Sequence, residues 1–169
     1  MEEKYGLFNE NELNSELKFS LHPLLLHDQL TRSLENLGVS QLDCYYINLP
    51  EILLEYVSKD EFLNQLITAF EFLENQVKEG RIKSYGITCW NWGRKLSYSK
   101  FYFDFNQIMK SLEDRVGVDH HFKFVQIPLS IGMSENFSEK YTISPSSGGI
   151  IFIYIYLLIY RISFFSFST

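Results

Sequence analysis

The sequence has few cysteines and prolines and no excess of basic charge. Its 169 residues include two cysteines and four prolines, and its 21 acidic residues outnumber 15 basic ones, giving a net charge of −6. Two isolated cysteines form neither a disulfide framework nor a metal-type spacing, which suits a reducing, cytoplasmic location. The missing basic stripe argues against nucleic-acid binding, and the acidic N-terminus lacks an apolar signal core. With 46% hydrophobic residues, most of the chain should fold into a core.

Three short apolar runs alternate with amphipathic helices. The runs begin near residues 42, 82 and 123, and helices are predicted from Leu26 to Leu37, over 60–79 and over 101–117. A helix between successive strands is typical of parallel strands joined by crossover helices. The regular spacing favours a (β/α) barrel. A doubly wound open sheet is the alternative, although no Gly-rich dinucleotide fingerprint follows any strand.

The C-terminal residues differ from the rest in composition. Ser144–Gly149 has the composition of a linker, and residues 150–160 are uncharged and apolar up to Arg161. We expect the strand pattern to stop near Glu139 and residues 150–169 to be an apolar tail unrelated to the barrel. Its length approaches that of a membrane span, so membrane association is one hypothesis and an unselected segment past a true exon boundary is another. Arg161 weighs against a span, since a central Arg costs about 2.5–3.5 kcal/mol.

Polar residues emerge where the predicted strands end. In barrels, functional residues lie at the carboxyl ends of strands, which singles out Asn48, then Thr88, Cys89 and Trp90, and then Gln126. On the pattern alone, these residues are equally consistent with a functional site and with ordinary strand ends.

Several motifs in the same order resemble the aldo-keto reductase family. They cover roughly residues 20–136 and comprise Asp28–Gly38, Leu42–Tyr46, Pro50–Glu51, Ala69–Phe70, Glu74, Glu79–Ile82, Tyr85–Thr88, His120–Phe122 and Gln126–Leu129. The resemblance implies an α/β fold, a partial (β/α)8 TIM barrel holding about strands 4–6 with their helices. Residues 1–19 would then be an N-terminal remnant, 20–136 the partial barrel, 137–149 a linker and 150–169 the tail.

The resemblance also implies an activity, namely hydride transfer from NADPH to a small-molecule aldehyde or ketone. Family catalysis uses an Asp, a Tyr, a Lys and a His. Lys4 matches the lysine, and Asn48 occupies the position of the histidine, while the Asp and Tyr have no counterpart. For the nicotinamide carboxamide, Thr88 and Cys89 occupy the positions of a Ser–Asn pair, and Gln126 matches a glutamine.

These departures shape what we expect of the chain. Asparagine can donate a hydrogen bond to a carbonyl but does not titrate near neutral pH, and cysteine is a poor replacement for an amide donor. We therefore expect a truncated oxidoreductase domain that is inactive as it stands, with cofactor binding weakened. The alternative is a non-catalytic binding or regulatory remnant that contacts a partner through the barrel fragment or the apolar tail, with membrane tethering by the tail as one form of it. No metal is expected, because the adjacent His120 and His121 have no third ligand.

Overall fold

Helices and strands alternate along the described part of the chain. The computed structural model describes residues 20–90, 100–129 and 151–156. The helices are α1 (Pro23–Leu37), α2 (Lys59–Lys78) and α3 (Phe105–Val116); the strands are β1 (Tyr45–Asn48), β2 (Tyr85–Thr88), β3 (Phe122–Leu129) and β4 (Ile151–Tyr156); a 3-10 helix, Pro50–Glu55, follows β1. The three predicted strands and the three predicted helices are all present, and the ends of the helices lie within a few residues of the predicted ones.

The four strands form one parallel sheet in the order β1-β2-β3-β4. Consecutive strands are neighbours, which is the order of a singly wound barrel wall; a doubly wound sheet would reverse its order at a switch point. An isolated bridge between Leu42 and Ile82 extends the pairing of β1 with β2 toward their amino ends. The order of these strands therefore favours the barrel over the open-sheet alternative.

Local sequence signals set the limits of the helices. His22 caps α1 by accepting the Leu24 N–H at 3.2 Å, and Pro23 occupies the first turn. Gly38 ends this helix with φ of 65°, a left-handed conformation in which glycine carries no Cβ penalty. Ser58 caps α2 by accepting the Glu61 N–H at 3.2 Å, as its spacing predicts.

The helices pack against one face of the sheet. Alternate strand residues join the helices in a single buried core, among them Ile47, Ile87 and Val125. Aromatic rings fill its centre, with the Phe70 ring on α2 lying 5.4 Å from Tyr85 and 5.0 Å from Phe122 between ring centroids. The residues between them along the strands therefore point to the opposite face, which bears the candidate site.

A β-bulge interrupts the pairing of β2 with β3. Tyr85 pairs with Phe122, yet the next residue, Gly86, pairs with Phe124, so Lys123 is an extra residue in the ladder. The bulge lets both Phe122 and Val125 face the helices. It also brings β3 close to Gly86, where a Cβ atom would collide with the Phe124 carbonyl oxygen.

Two features differ from the sequence-based expectation. The strand pattern does not stop at Glu139, because Ile151–Tyr156, expected to belong to an unrelated tail, is paired with β3 as a fourth parallel strand. Its β-branched and aromatic residues favour extended backbone. Glu74 on α2 is only 5% exposed, whereas a glutamate on a helix is most simply expected to be solvated. The proposed remnant 1–19, linker 137–149 and tail residues 157–169 lie outside the described residues.

Candidate functional site

Three of the predicted site residues form one row across the sheet. Asn48, the last residue of β1, is in register with Thr88, the last residue of β2, and Thr88 is in register with Gln126 on β3. Neighbouring parallel strands point their in-register side chains to the same face. We name Asn48, Thr88 and Gln126 the polar row. It lies on the face opposite the helices, at the carboxyl ends of β1 and β2 and at the in-register position within β3.

Hydrogen bonds connect two members of the polar row directly. The Thr88 hydroxyl donates to Asn48 Oδ1 at 2.5 Å, and the Leu49 N–H donates to the Thr88 hydroxyl oxygen at 3.2 Å. With its proton given to Asn48, the hydroxyl can still accept a hydrogen bond from a ligand. The Asn48 amide nitrogen retains its two donor hydrogens, so this half of the row can donate to a carbonyl oxygen.

A cavity of about 250 Å³ lies beside Asn48 along β1. It is lined mostly by apolar and aromatic groups with a few polar ones: Ser20, Leu25, Leu26, Gln29, Tyr45, Tyr46, Ile47, Asn48, Leu49 and Ile52. Burial is the first of the causes that raise the pKa of Tyr46 to about 12, so this phenol stays protonated at neutral pH. The cavity therefore offers both apolar and polar groups beside Asn48.

Cys89, a predicted cofactor-binding residue, does not join the polar row. Its side chain is 1% exposed and belongs to the core cluster, and its N–H donates to the Gln126 carbonyl oxygen at 2.9 Å. Adjacent residues of an extended strand point to opposite faces, so Thr88 and Cys89 cannot present their side chains to one ligand group in this conformation.

The remaining sequence-based candidates are placed as follows. Lys4, predicted from the resemblance as the family lysine, lies outside the described residues. Trp90 follows Cys89 and is 44% exposed, near the polar row. Within 20–90, 100–129 and 151–156 no group of three or more His, Cys, Asp or Glu residues could hold a metal ion. No helix of these ranges combines the length and apolarity needed to cross a bilayer.

Glu51 lies three residues after Asn48 and was not predicted from the sequence as a site residue. It is 1% exposed, and its Oε1 accepts the Trp90 N–H at 2.6 Å. An acid after a proline in a post-strand turn is usually a solvated helix-start residue, so the sequence carries no signal of its burial. The contact joins the segment after β1 to the segment after β2.

The polar row is electrically neutral. An amide, a hydroxyl and a second amide offer hydrogen-bond donors and acceptors, and none of them changes protonation state near neutral pH. These three side chains can therefore hold and orient a polar group of a ligand. They cannot by themselves move a proton, which requires a further group.

Comparison with known proteins identifies the family of the chain. Residues 4–124, well over half of the chain, match the family described as Aldo/keto reductase family. A crystal structure of an aldo/keto reductase from Brucella melitensis is 24% identical, with a TM-score of 0.37, over 65% of this chain and 32% of that chain. The matched part thus spans about a third of that protein's length. The search of curated proteins gave no match.

The parallel sheet in singly wound order has the strand arrangement of a barrel wall, and the polar row lies across it on the face opposite the helices. The chain belongs to the aldo/keto reductase family. Family membership implies a TIM-barrel fold, of which the described residues show a partial parallel α/β sheet.

Proposed function

We propose that this chain forms part of an NADP(H)-dependent oxidoreductase acting on small aldehydes or ketones. The observation that carries the proposal is the polar row, in which Asn48, Thr88 and Gln126 are in register on three adjacent strands, with Asn48 and Thr88 at the carboxyl ends of theirs. Membership of the aldo/keto reductase family supports the reaction class. A cytoplasmic location is proposed with it, in keeping with two cysteines that form no disulfide bond.

The polar row has the donors and acceptors that a nicotinamide carboxamide requires. Gln126 is half-buried and offers an amide that both donates and accepts. The Thr88 oxygen can accept from a ligand N–H, and the Asn48 nitrogen can donate to a carbonyl oxygen. When bound, the cofactor would supply the hydride. Because Cys89 faces the core, its side chain has no proposed contact with the carboxamide.

Cofactor binding is tested by titrating the purified chain with NADPH and following the fluorescence of the nicotinamide. We expect weak but saturable binding that Gln126→Ala weakens about tenfold, equivalent to about 1.4 kcal/mol of lost hydrogen bonding. Gln41→Ala is the matched control, because Gln41 is exposed and precedes β1 at the opposite end of the strands. Absence of saturation, or equal affinity for the Gln126→Ala and Gln41→Ala variants, would contradict the proposal.

We also propose that the 169 residues alone do not reduce carbonyl compounds. The neutral polar row provides no proton donor, and Asn48 stands where the family has a titrating histidine. Lys4 remains a proposed family residue on the basis of its sequence match. The measurement is NADPH consumption with a panel of small aldehydes and ketones. Consumption that depends on both the carbonyl compound and the protein would show that the chain is active.

A further inference from the structure

The segment that follows β1 is hydrogen-bonded both to the last residue of β2 and to the segment that follows β2. The Leu49 N–H donates to the Thr88 carbonyl oxygen at 2.9 Å and to its hydroxyl oxygen at 3.2 Å. Two residues further along each segment, Glu51 Oε1 accepts the Trp90 N–H at 2.6 Å. The polar row at Asn48 and Thr88 is therefore followed at once by a second, outer connection through Glu51.

The burial of Glu51 indicates that its carboxylate has a specific hydrogen-bonding role. The side chain is 1% exposed, and an acidic group in such a position is costly to bury unless hydrogen bonds compensate it. Its neighbours Leu53 and Leu54 are part of the core, so an apolar side chain at 51 would satisfy packing alone. A carboxylate, unlike an apolar group, accepts the main-chain N–H of Trp90.

The backbone is strained at Leu49, the residue that begins the turn leading to Glu51. Leu49 has φ of 51° and ψ of 50°, a left-handed conformation that is uncommon for residues other than glycine. Such strain persists when the surroundings over-determine the conformation, and it concentrates near functional sites. Here the Leu49 N–H is bonded to Thr88, the last residue of β2, and the Glu51 carboxylate is bonded to Trp90 in the segment that follows it.

We propose that Glu51 is a positioning residue that holds the Trp90 main chain and thereby keeps Thr88 in place within the polar row. This inference rests on the proposed function for its effect on ligand binding. Thr88 lies two residues before Trp90, so an anchor at Trp90 restricts the motion of the strand end that carries the hydroxyl. Glu51 itself is buried and would affect a ligand only through these residues.

The test uses two substitutions that separate the length of the side chain from its charge. Glu51→Asp keeps the carboxylate but is one methylene shorter, so it should lose the bond to Trp90. Glu51→Gln keeps an oxygen acceptor at the same reach and should preserve the bond. Glu55→Gln is the control, because Glu55 is exposed on the same 3-10 helix. All variants are made with Trp92→Phe, which leaves Trp90 as the only tryptophan.

Two readouts distinguish this inference from the proposed function. Acrylamide quenching of Trp90, which is 44% exposed, reports the freedom of the segment without any ligand. We expect Glu51→Asp to increase quenching and to weaken NADPH binding about tenfold, while Glu51→Gln and Glu55→Gln resemble the parent protein. Failure of the parent to bind NADPH would contradict the proposed function, and the quenching comparison would still decide the role of Glu51.

Either of two results would overturn the inference. One is a Glu51→Asp protein whose Trp90 quenching equals that of the parent. The other is a Glu51→Gln protein in which acrylamide quenches Trp90 as strongly as in an unfolded control. That result would mean that an oxygen acceptor with the same reach does not hold the Trp90 main chain. If Glu51→Asp does not fold, Glu51→Met takes its place, because it keeps the length and packing but removes the acceptor; Trp90 quenching equal to that of the parent in this variant would overturn the inference.

Discussion

At the scale of single residues, the alternation of a strand decides which predicted residues share the site. Asn48 and Thr88 end their strands, as the barrel rule predicts from sequence, whereas Gln126 lies within the longer β3 in register with Thr88. Cys89 follows Thr88 directly and points to the core instead. Side-chain alternation could have separated Thr88 from Cys89 in advance. The burial of Glu51 could not be anticipated, because it depends on contacts with Trp90, 39 residues away.

Among the glycines in the described part of the chain, Gly86 has the closest neighbours. A Cβ atom there would collide with the Phe124 carbonyl oxygen and lie 2.9 Å from Phe124 Cβ. We expect Gly86→Ala to lower the free energy of unfolding by about 1–3 kcal/mol, because β3 must shift to admit the methyl group. Urea unfolding followed by circular dichroism measures the change.

Gly38 provides the control for that substitution. It has φ of 65°, no atom lies within 4 Å of the place that a Cβ atom would occupy, and asparagine tolerates this conformation. Gly38→Asn should therefore change stability by only a few tenths of a kcal/mol, roughly as surface substitutions do. A Gly86→Ala protein as stable as Gly38→Asn would disprove the close approach.

His120 should make stability depend on pH. It is 1% exposed, and within the described residues neither ring nitrogen has a hydrogen-bond partner. Burial, and then Lys123, lower the pKa of His120 from its ordinary value, against the opposing influence of Glu74 and Glu113. The unfolded chain consequently binds a proton near pH 6.5 that the folded protein does not bind until a lower pH.

Stability should therefore fall as the pH drops from about 7 toward 5, by at most about 1.4 kcal/mol per pH unit for one proton. We expect His120→Leu to remove most of this slope in urea unfolding measured across that range. His27→Leu, at an exposed position of α1, should leave it in place. A His120→Leu protein that keeps the full slope would assign the pH dependence to other groups.

At the scale of elements, the apolar stripes and caps of the helices are predictable, whereas a buried acid within a stripe is not. The spacing of Phe62, Leu66, Phe70 and Leu73 predicts the buried face of α2, and all four are buried. Glu74 adjoins that stripe and is buried with it. Its carboxylate accepts the His121 N–H at 2.5 Å and lies 2.9 Å from His121 Nδ1.

Glu74 thus connects α2 to the start of β3. We expect Glu74→Ala to destabilise the protein by about 1.5–3 kcal/mol, the range for hydrogen bonds to a charged group. Glu71→Ala, three residues earlier on the same helix, removes an ion pair to Arg115 that is partly exposed on both sides, and should cost at most about 1 kcal/mol. Chemical denaturation of both variants tests the difference; equal losses would argue against a special role for Glu74.

At the scale of the whole molecule, the sequence predicts the direction and order of β1, β2 and β3 but not the pairing of β4. Three strand–helix units with regular spacing suffice to indicate a parallel, singly wound sheet. The apolar residues after 150 are compatible with a tail, a membrane segment or a strand, since a short apolar run has no distinguishing period. Pairing with β3 over Ile151–Tyr156 is a long-range contact that no local pattern specifies.

The central claim for the whole molecule is that the polar row faces the cofactor. The most direct measurement is an NMR titration of the ¹⁵N-labelled chain with NADPH, following the side-chain amide signals of Asn48 and Gln126, with Gln41 as the reference. We predict saturable shifts of the Asn48 and Gln126 signals with one common affinity, and none for Gln41. Saturable binding that leaves both row signals unmoved, or no binding at millimolar NADPH, would contradict the account.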